Sequence, residues 1–157
     1  MRKALTLALF VGVCELAGII GALFTTPSIP GWYAGLTKPS FNPPNAVFAP
    51  VWTTLYALMG LAAWLVYEKR TKSPGSRKAL AVFVVQLVFN VLWSIAFFGA
   101  HQILGAFVVI VALWVLIAGT IRLFWKISKP AGLILGPYLL WVTFATVLNA
   151  ALYVLNR

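Results

Sequence analysis

Five stretches of this sequence stay apolar for about the 20 residues that a helix needs to cross a bilayer. They run from about Ala4 to Phe24, Ala46 to Tyr67, Ala79 to Gly99, Ile103 to Ile121 and Ala131 to Leu155. Of the 157 residues, 62% are apolar or aromatic and only 9% are charged, against about 25% charged in an ordinary soluble domain. A soluble domain of this size has too little interior to hide so much apolar surface, so the solvent must be lipid. The expected fold is therefore all-α: an integral membrane bundle of five transmembrane helices, in one domain covering residues 1–157. Ala100, His101 and Gln102 leave only a tight turn between the third and fourth spans. Pro137 lies a turn or more inside the fifth. It lacks a backbone donor and predicts a kink or a late helix start. The first span follows Arg2 and Lys3 as a signal peptide would. Its length, its uniform apolarity and the four spans behind it predict that it is retained.

There is no Asp, and Glu15 and Glu68 are the only carboxylates; His101 and Cys14 stand alone of their kinds. Paired carboxylates, metal clusters, Ser-His-Asp sets and Cys-His pairs therefore cannot be assembled within one chain, so neither a metal nor a cofactor is expected. The formal net charge is +10. Its basic residues sit at segment ends, which reads as membrane topology and not as a nucleic-acid surface. Arg2, Lys3, Lys69, Arg70, Lys72, Arg77, Lys78, Arg122, Lys126 and Lys129 fall on one side of the membrane, leaving Lys38 and Arg157 on the other. In a bacterial cell membrane that bias puts the N-terminus in the cytoplasm and the C-terminus outside.

The one long connection is Thr25 to Asn45. Pro27, Pro30, Pro39, Pro43 and Pro44, with Gly31 and Gly35, predict a stiff loop and no continuous helix there. With Trp32, Tyr33 and Phe41 as an aromatic underside, it reads either as a lid or as an interfacial belt at headgroup depth. Within the spans, Trp52, Tyr56, Met59 and Ala63 share one helical face, as do Gln86, Asn90, Trp93 and Phe97. Tyr138, Trp141, Ala145 and Leu148 share another, with Asn149 beside them. The amides are costly against lipid and should point inward. Inward aromatic faces with a few amides describe either a pocket for a flat, largely apolar ligand or a filled core with interhelical hydrogen bonds.

Glu15, near the middle of the first span, is either a neutral acid tied to a neighbouring helix or a group that handles protons or a cationic ligand. Ala17/Gly21 and Gly18/Ala22 are small-xxx-small pairs, fit for close packing within the bundle or between two bundles. Cys14 reads as a small apolar filler and His101 as a polar interfacial residue. Leu148, Tyr153 and Arg157 fit a sterol-type pattern, but so do Leu65, Tyr67 and Lys69, which makes the pattern weak.

Three runs carry a more specific message. Trp32-Tyr33, Leu36, Lys38-Pro39, Phe41, Pro43-Pro44, Pro50, Trp52-Thr53 and Leu55-Tyr56 form the first. Gln86-Leu87, Asn90, Trp93-Ser94 and Phe97-Phe98-Gly99 form the second. The third is Pro137-Tyr138, Leu140-Trp141, Phe144-Ala145 and Leu148-Asn149. In order and spacing the chain resembles the tryptophan-rich sensory protein / translocator protein family (TspO/MBR) over nearly its whole length. The resemblance implies a five-helix bundle, commonly a homodimer, whose first loop closes a pocket. It also implies a porphyrin or haem-type ligand, with sterols and synthetic drug ligands in mitochondrial members. On the matching positions the pocket would use Tyr33, Pro43, Trp52, Tyr56, Asn90, Trp93, Ser94, Trp141, Ala145 and Leu148. Light-dependent porphyrin breakdown in some bacterial members is attributed to tryptophans matching Trp52 and Trp141, the candidate catalytic residues. The sterol-motif tyrosine of mitochondrial members falls at Ala150 here, which weakens that part of the carry-over. The expected function is a membrane receptor or sensor for tetrapyrroles. Porphyrin degradation and transport are the alternatives. Glu15 suggests transport, since small multidrug exporters also keep a Glu in their first span, but those have four spans and little charge bias.

Overall fold

The computed structural model describes residues 2–157. Helix α1 (Arg2–Ser28) runs on into a π-helical turn, Ile29–Tyr33. A 3-10 turn, Asn45–Val47, leads into α2 (Phe48–Glu68), and α3 (Ser76–Ser94) ends in a second π-helical turn, Ile95–Gly99. Then come α4 (Ile103–Ile127), α5 (Lys129–Ile134) and α6 (Gly136–Leu155). Joined end to end they make five rods long and apolar enough to span a membrane: Arg2–Tyr33, Asn45–Glu68, Ser76–Gly99, Ile103–Ile127 and Lys129–Leu155. Among the described residues there is no strand.

The polarity of this bundle is that of a protein dissolved in lipid. Leu9, Leu23, Val108 and Leu140 are 60 to 73% exposed, whereas Gln86, Asn90 and Asn149 are each 1% exposed. The hydroxyls of Thr25, Thr120 and Thr146 each donate to the carbonyl four residues back, so they need no water. The protein is a multi-pass integral membrane protein with an all-α, five-helix fold. Lys3 Nζ lies 3.8 Å from a Glu68 carboxylate oxygen, and Lys69 Nζ donates to the Ile127 carbonyl at 3.2 Å. The N-terminus, the end of α2 and the end of α4 thus share one side, as the charge distribution predicts.

Two expectations need correction. The first span does not stop at Phe24, and the long loop does not begin at Thr25: helix continues through Pro27 and Pro30 to Gly35. Pro30 stands at the start of the π-helical turn, where the α-helical hydrogen-bond ladder that a proline would interrupt already gives way to i→i+5 bonding. Ser28 Oγ also donates to the Phe98 carbonyl at 2.6 Å, joining the two π-helical turns. The connection proper is therefore residues 36–44. The fourth helix likewise outruns its apolar stretch to reach Ile127, because Arg122 and Lys126 can extend their heads to the interface while their stems stay in lipid. Two other expected features of the connections hold. His101 makes the α3–α4 turn at φ 55°, and the fifth span breaks at Leu135 immediately before Gly136-Pro137.

Helix α1 packs on α2 and α3, α3 on α4, and α4 on α6. Glycine sets the closest of these approaches. A Cβ on Gly60 would stand 2.5 Å from the Val11 Cα, and one on Gly18 would stand 2.5 Å from the Tyr56 ring. Ala17 and Gly21 are buried within the bundle, so that small-residue pair serves packing inside one chain. At the basic side α5 lies against α2, and beyond the break α6 meets α2 through ring pairs, Trp52 with Tyr138 at 6.4 Å and Phe48 with Trp141 at 5.9 Å. A gap remains among α1, α2, α3 and α6.

Candidate ligand-binding cavity

That gap is a cavity of about 300 Å³, at the lower end of the usual range for small-molecule sites. Helix α1 contributes Glu15, Gly18 and Gly21, and α2 contributes Phe48, Trp52 and Tyr56. From α3 and its π-helical turn come Trp93, Ser94, Phe97 and Phe98; from α6 come Trp141, Ala145, Leu148 and Asn149. Rim residues Ile19, Ala22 and Thr26 on α1, and Ala49 and Thr53 on α2, are exposed. The cavity therefore opens sideways, through the groove between α1 and α2.

The rings are held in fixed relation to one another. Trp52 stacks on Tyr56 with centroids 5.6 Å apart and planes 30° apart, and Trp93 stacks on Phe97 at 5.6 Å and 27°. Trp141 lies between Phe48 and Phe144 at 5.9 and 5.5 Å. Behind them runs a chain of buried hydrogen bonds. The Tyr56 hydroxyl donates to Asn90 Oδ1 at 2.5 Å, Asn90 Nδ2 donates to the Tyr138 hydroxyl at 2.9 Å, and that hydroxyl donates to Gln86 Oε1 at 2.9 Å. The Trp93 indole donates to Asn149 Oδ1 at 3.0 Å, while Asn149 Nδ2 donates to the Ile103 carbonyl at 3.0 Å. By contrast the Trp141 indole nitrogen is buried without a partner among the described residues. Glu15 likewise takes part in no hydrogen bond or ion pair among them.

Of the residues expected to form a pocket, Tyr33, Trp52, Tyr56, Trp93, Ser94, Trp141, Ala145 and Leu148 all line this cavity. Pro43 and Asn90 do not. Asn90 sits one layer back, holding Tyr56, and Pro43 lies in the connecting loop, its carbonyl accepting from Asn42 Nδ2 at 3.1 Å. The loop residues 36–44 add nothing to the wall; Tyr33 before them and Asn45 after them do. The loop is nevertheless fastened. The Tyr33 hydroxyl donates to Asn42 Oδ1 at 2.8 Å, and Asn156 accepts from the Thr37 amide and donates to its carbonyl, both at 2.9 Å. Sequence reasoning missed Phe48, Gly18 and Gly21 as wall residues; the small-xxx-small pairs flagged two of these only as packing positions. His101, expected at the interface, stacks on Trp32 at 4.4 Å. Cys14 is 1% exposed and free, a core filler.

Fold and cavity together define a class: a five-helix membrane protein with an aromatic internal chamber opening toward lipid. A family model described as the TspO/MBR family matches residues 10–155. The chain is 42% identical over 155 residues to the tryptophan-rich protein TspO of Chlorobaculum tepidum, covering 99% of this chain and 98% of that one. It is 40% identical over 140 residues to the tryptophan-rich sensory protein of Cereibacter sphaeroides (89% and 84% covered). To the human translocator protein it is 37% identical over 138 residues (86% and 80% covered). The chain belongs to the TspO/MBR family.

Proposed function

We propose that this protein is a membrane receptor or sensor that binds porphyrins and other tetrapyrroles in the α1–α2–α3–α6 cavity. The observation that carries this reading is the convergence of Trp52, Tyr56, Trp93, Phe97 and Trp141 from three helices on one space. Broad π-faces held at fixed angles suit a flat conjugated ligand, and few polar groups suit one that is mostly apolar. Hydrophobic drug-like or sterol molecules fit the same description less specifically. The direct test is quenching of tryptophan emission as protoporphyrin is added to the purified protein in darkness. Saturable quenching that weakens in Trp93→Ala supports the reading, and strictly linear, non-saturating quenching refutes it.

A second reading is light-dependent porphyrin breakdown, favoured by the placement of both Trp52 and Trp141 on the cavity wall. Excited porphyrin and dioxygen would supply the oxidising power, with an indole as electron donor. Under illumination the native protein should consume protoporphyrin faster than the Trp52→Phe/Trp141→Phe variant; equal rates remove this reading. Transport of the ligand is a third reading, tested by uptake into vesicles that depends on Glu15. Homodimerisation, residence in a bacterial cell membrane and a cytoplasmic N-terminus complete the proposal. The orientation follows from the one-sided basic residues.

A further inference from the structure

A carboxyl group with no partner on the wall of an apolar chamber calls for an occupant that supplies one. Glu15 lies 13 residues past Arg2, so about 20 Å along the helix axis, deep in the hydrocarbon layer. It shares a face with Gly18, whose missing side chain lets the Tyr56 ring come close. No Lys, Arg or His lines the cavity; Lys38 lies outside it, its ammonium over the Tyr33 ring at 4.8 Å and bonded to the Ala34 and Leu36 carbonyls. The protein's other carboxylate, Glu68, is at the basic end, paired with Lys3. The chamber thus carries one uncompensated acid, aromatic walls that attract cations through their ring faces, and a mouth between α1 and α2 that faces the acyl chains.

We propose that the cavity is a site for lipophilic amines, which enter from the bilayer between α1 and α2 and place a protonated nitrogen against Glu15. The apolar body occupies the space beside Trp52, Tyr56 and Trp93, and the ammonium and carboxylate neutralise each other where neither could remain alone. This rests on the cavity being a ligand site but not on the ligand being a tetrapyrrole. A tetrapyrrole's acidic side chains would have to point away from Glu15.

The experiment compares naphthylmethyl-dimethylamine with its neutral isostere, isobutylnaphthalene. Binding of each is measured by equilibrium dialysis to full-length protein in phosphatidylcholine nanodiscs, against empty discs that correct for partition. The native protein should prefer the amine about tenfold or more, the usual worth of a charge-assisted hydrogen bond. In Glu15→Gln the preference should fall to near one, and a circular-dichroism melt like that of the native protein shows that the variant folds. No preference in the native protein, or an equal one in Glu15→Gln, overturns the proposal. Should Glu15→Gln fail to fold, labelling of the native protein by a lipophilic carbodiimide decides the matter. The amine, but not the isostere, should slow modification of Glu15 while leaving Glu68 as an internal control; equal protection by both compounds overturns the proposal. Protoporphyrin titrated into the same discs separates the two readings. Amine preference without protoporphyrin binding removes the tetrapyrrole reading and leaves this one standing. Absence of specific binding for all three compounds removes both.

Discussion

The hydrogen bond between Tyr56 and Asn90 allows a double-mutant cycle whose outcome follows from the geometry. Asn90 is 1% and Tyr56 6% exposed, and the hydroxyl donates to Oδ1 at 2.5 Å. In Asn90→Leu the buried Tyr56 hydroxyl loses the one acceptor it has among the described residues. Tyr138 loses a donor but keeps its own bond to Gln86 Oε1 at 2.9 Å. One orphaned hydroxyl costs about 1 to 3 kcal/mol in general, while interhelical bonds measured in membranes cluster nearer 0.6 with a maximum of about 1.7. We therefore expect a loss of about 1 to 2 kcal/mol. Tyr56→Phe leaves Asn90 Oδ1 unpaired and should lose about 1 kcal/mol. The double variant removes donor and acceptor together, so it should be no less stable than Asn90→Leu alone, giving a coupling of about 1 kcal/mol. Unfolding of the purified protein in mixed micelles of rising SDS fraction, followed by circular dichroism, supplies the four stabilities. Additivity of the two single losses to within about 0.5 kcal/mol would refute the reasoning, because sites that share no bond add.

Gly60→Ala forces a Cβ to within 2.5 Å of the Val11 backbone, which no side-chain rotation can relieve, whereas Gly12 on the outer face of α1 has nothing within 4 Å. Gly60→Ala should cost about 1 to 3 kcal/mol of overpacking, while Gly12→Ala should be neutral or slightly stabilising; the same melting temperature in both variants would contradict the α1–α2 packing. Gly18→Ala, meeting the Tyr56 ring at 2.5 Å, should push that ring aside and weaken binding of any cavity ligand more than it lowers stability. Equal loss of both in paired titrations and melts would show that Tyr56 does not shape the chamber. Asn156→Ala cuts both bonds to Thr37, so amide exchange in residues 36–44 should accelerate while α2 and α3 stay protected. Unchanged exchange there would mean that the loop is fastened by Tyr33–Asn42 and Phe41–Phe144 alone.

What the sequence determined by itself is the environment of each residue. Runs of about 20 apolar residues admit one solvent and one secondary structure. Placing amides on helical faces is enough to send Gln86, Asn90 and Asn149 inward, because an unpaired amide in lipid costs too much. One-sided Lys and Arg put three helix ends together, and the aromatic positions at helical spacing anticipated Trp52, Tyr56, Trp93, Phe97 and Trp141 on the chamber wall. What only the tertiary structure decided is where space remains. Whether aromatic faces meet as solid core or leave a cavity depends on how far apart α1, α2, α3 and α6 stand, and no periodicity records that distance. Pro27 and Pro30 read locally as helix breakers, yet the π-helical turn and the Ser28 bond to Phe98 carry the helix through them. Asn90 looked like a wall residue and proved to be the support behind Tyr56. Glu15 could be read either as an acid tied to a neighbouring helix or as one that meets a ligand or a proton, and it borders the cavity with no bond to another helix among the described residues. These outcomes depend on the relative placement of whole helices, and local sequence specifies the face of a helix far better than its distance from the next one.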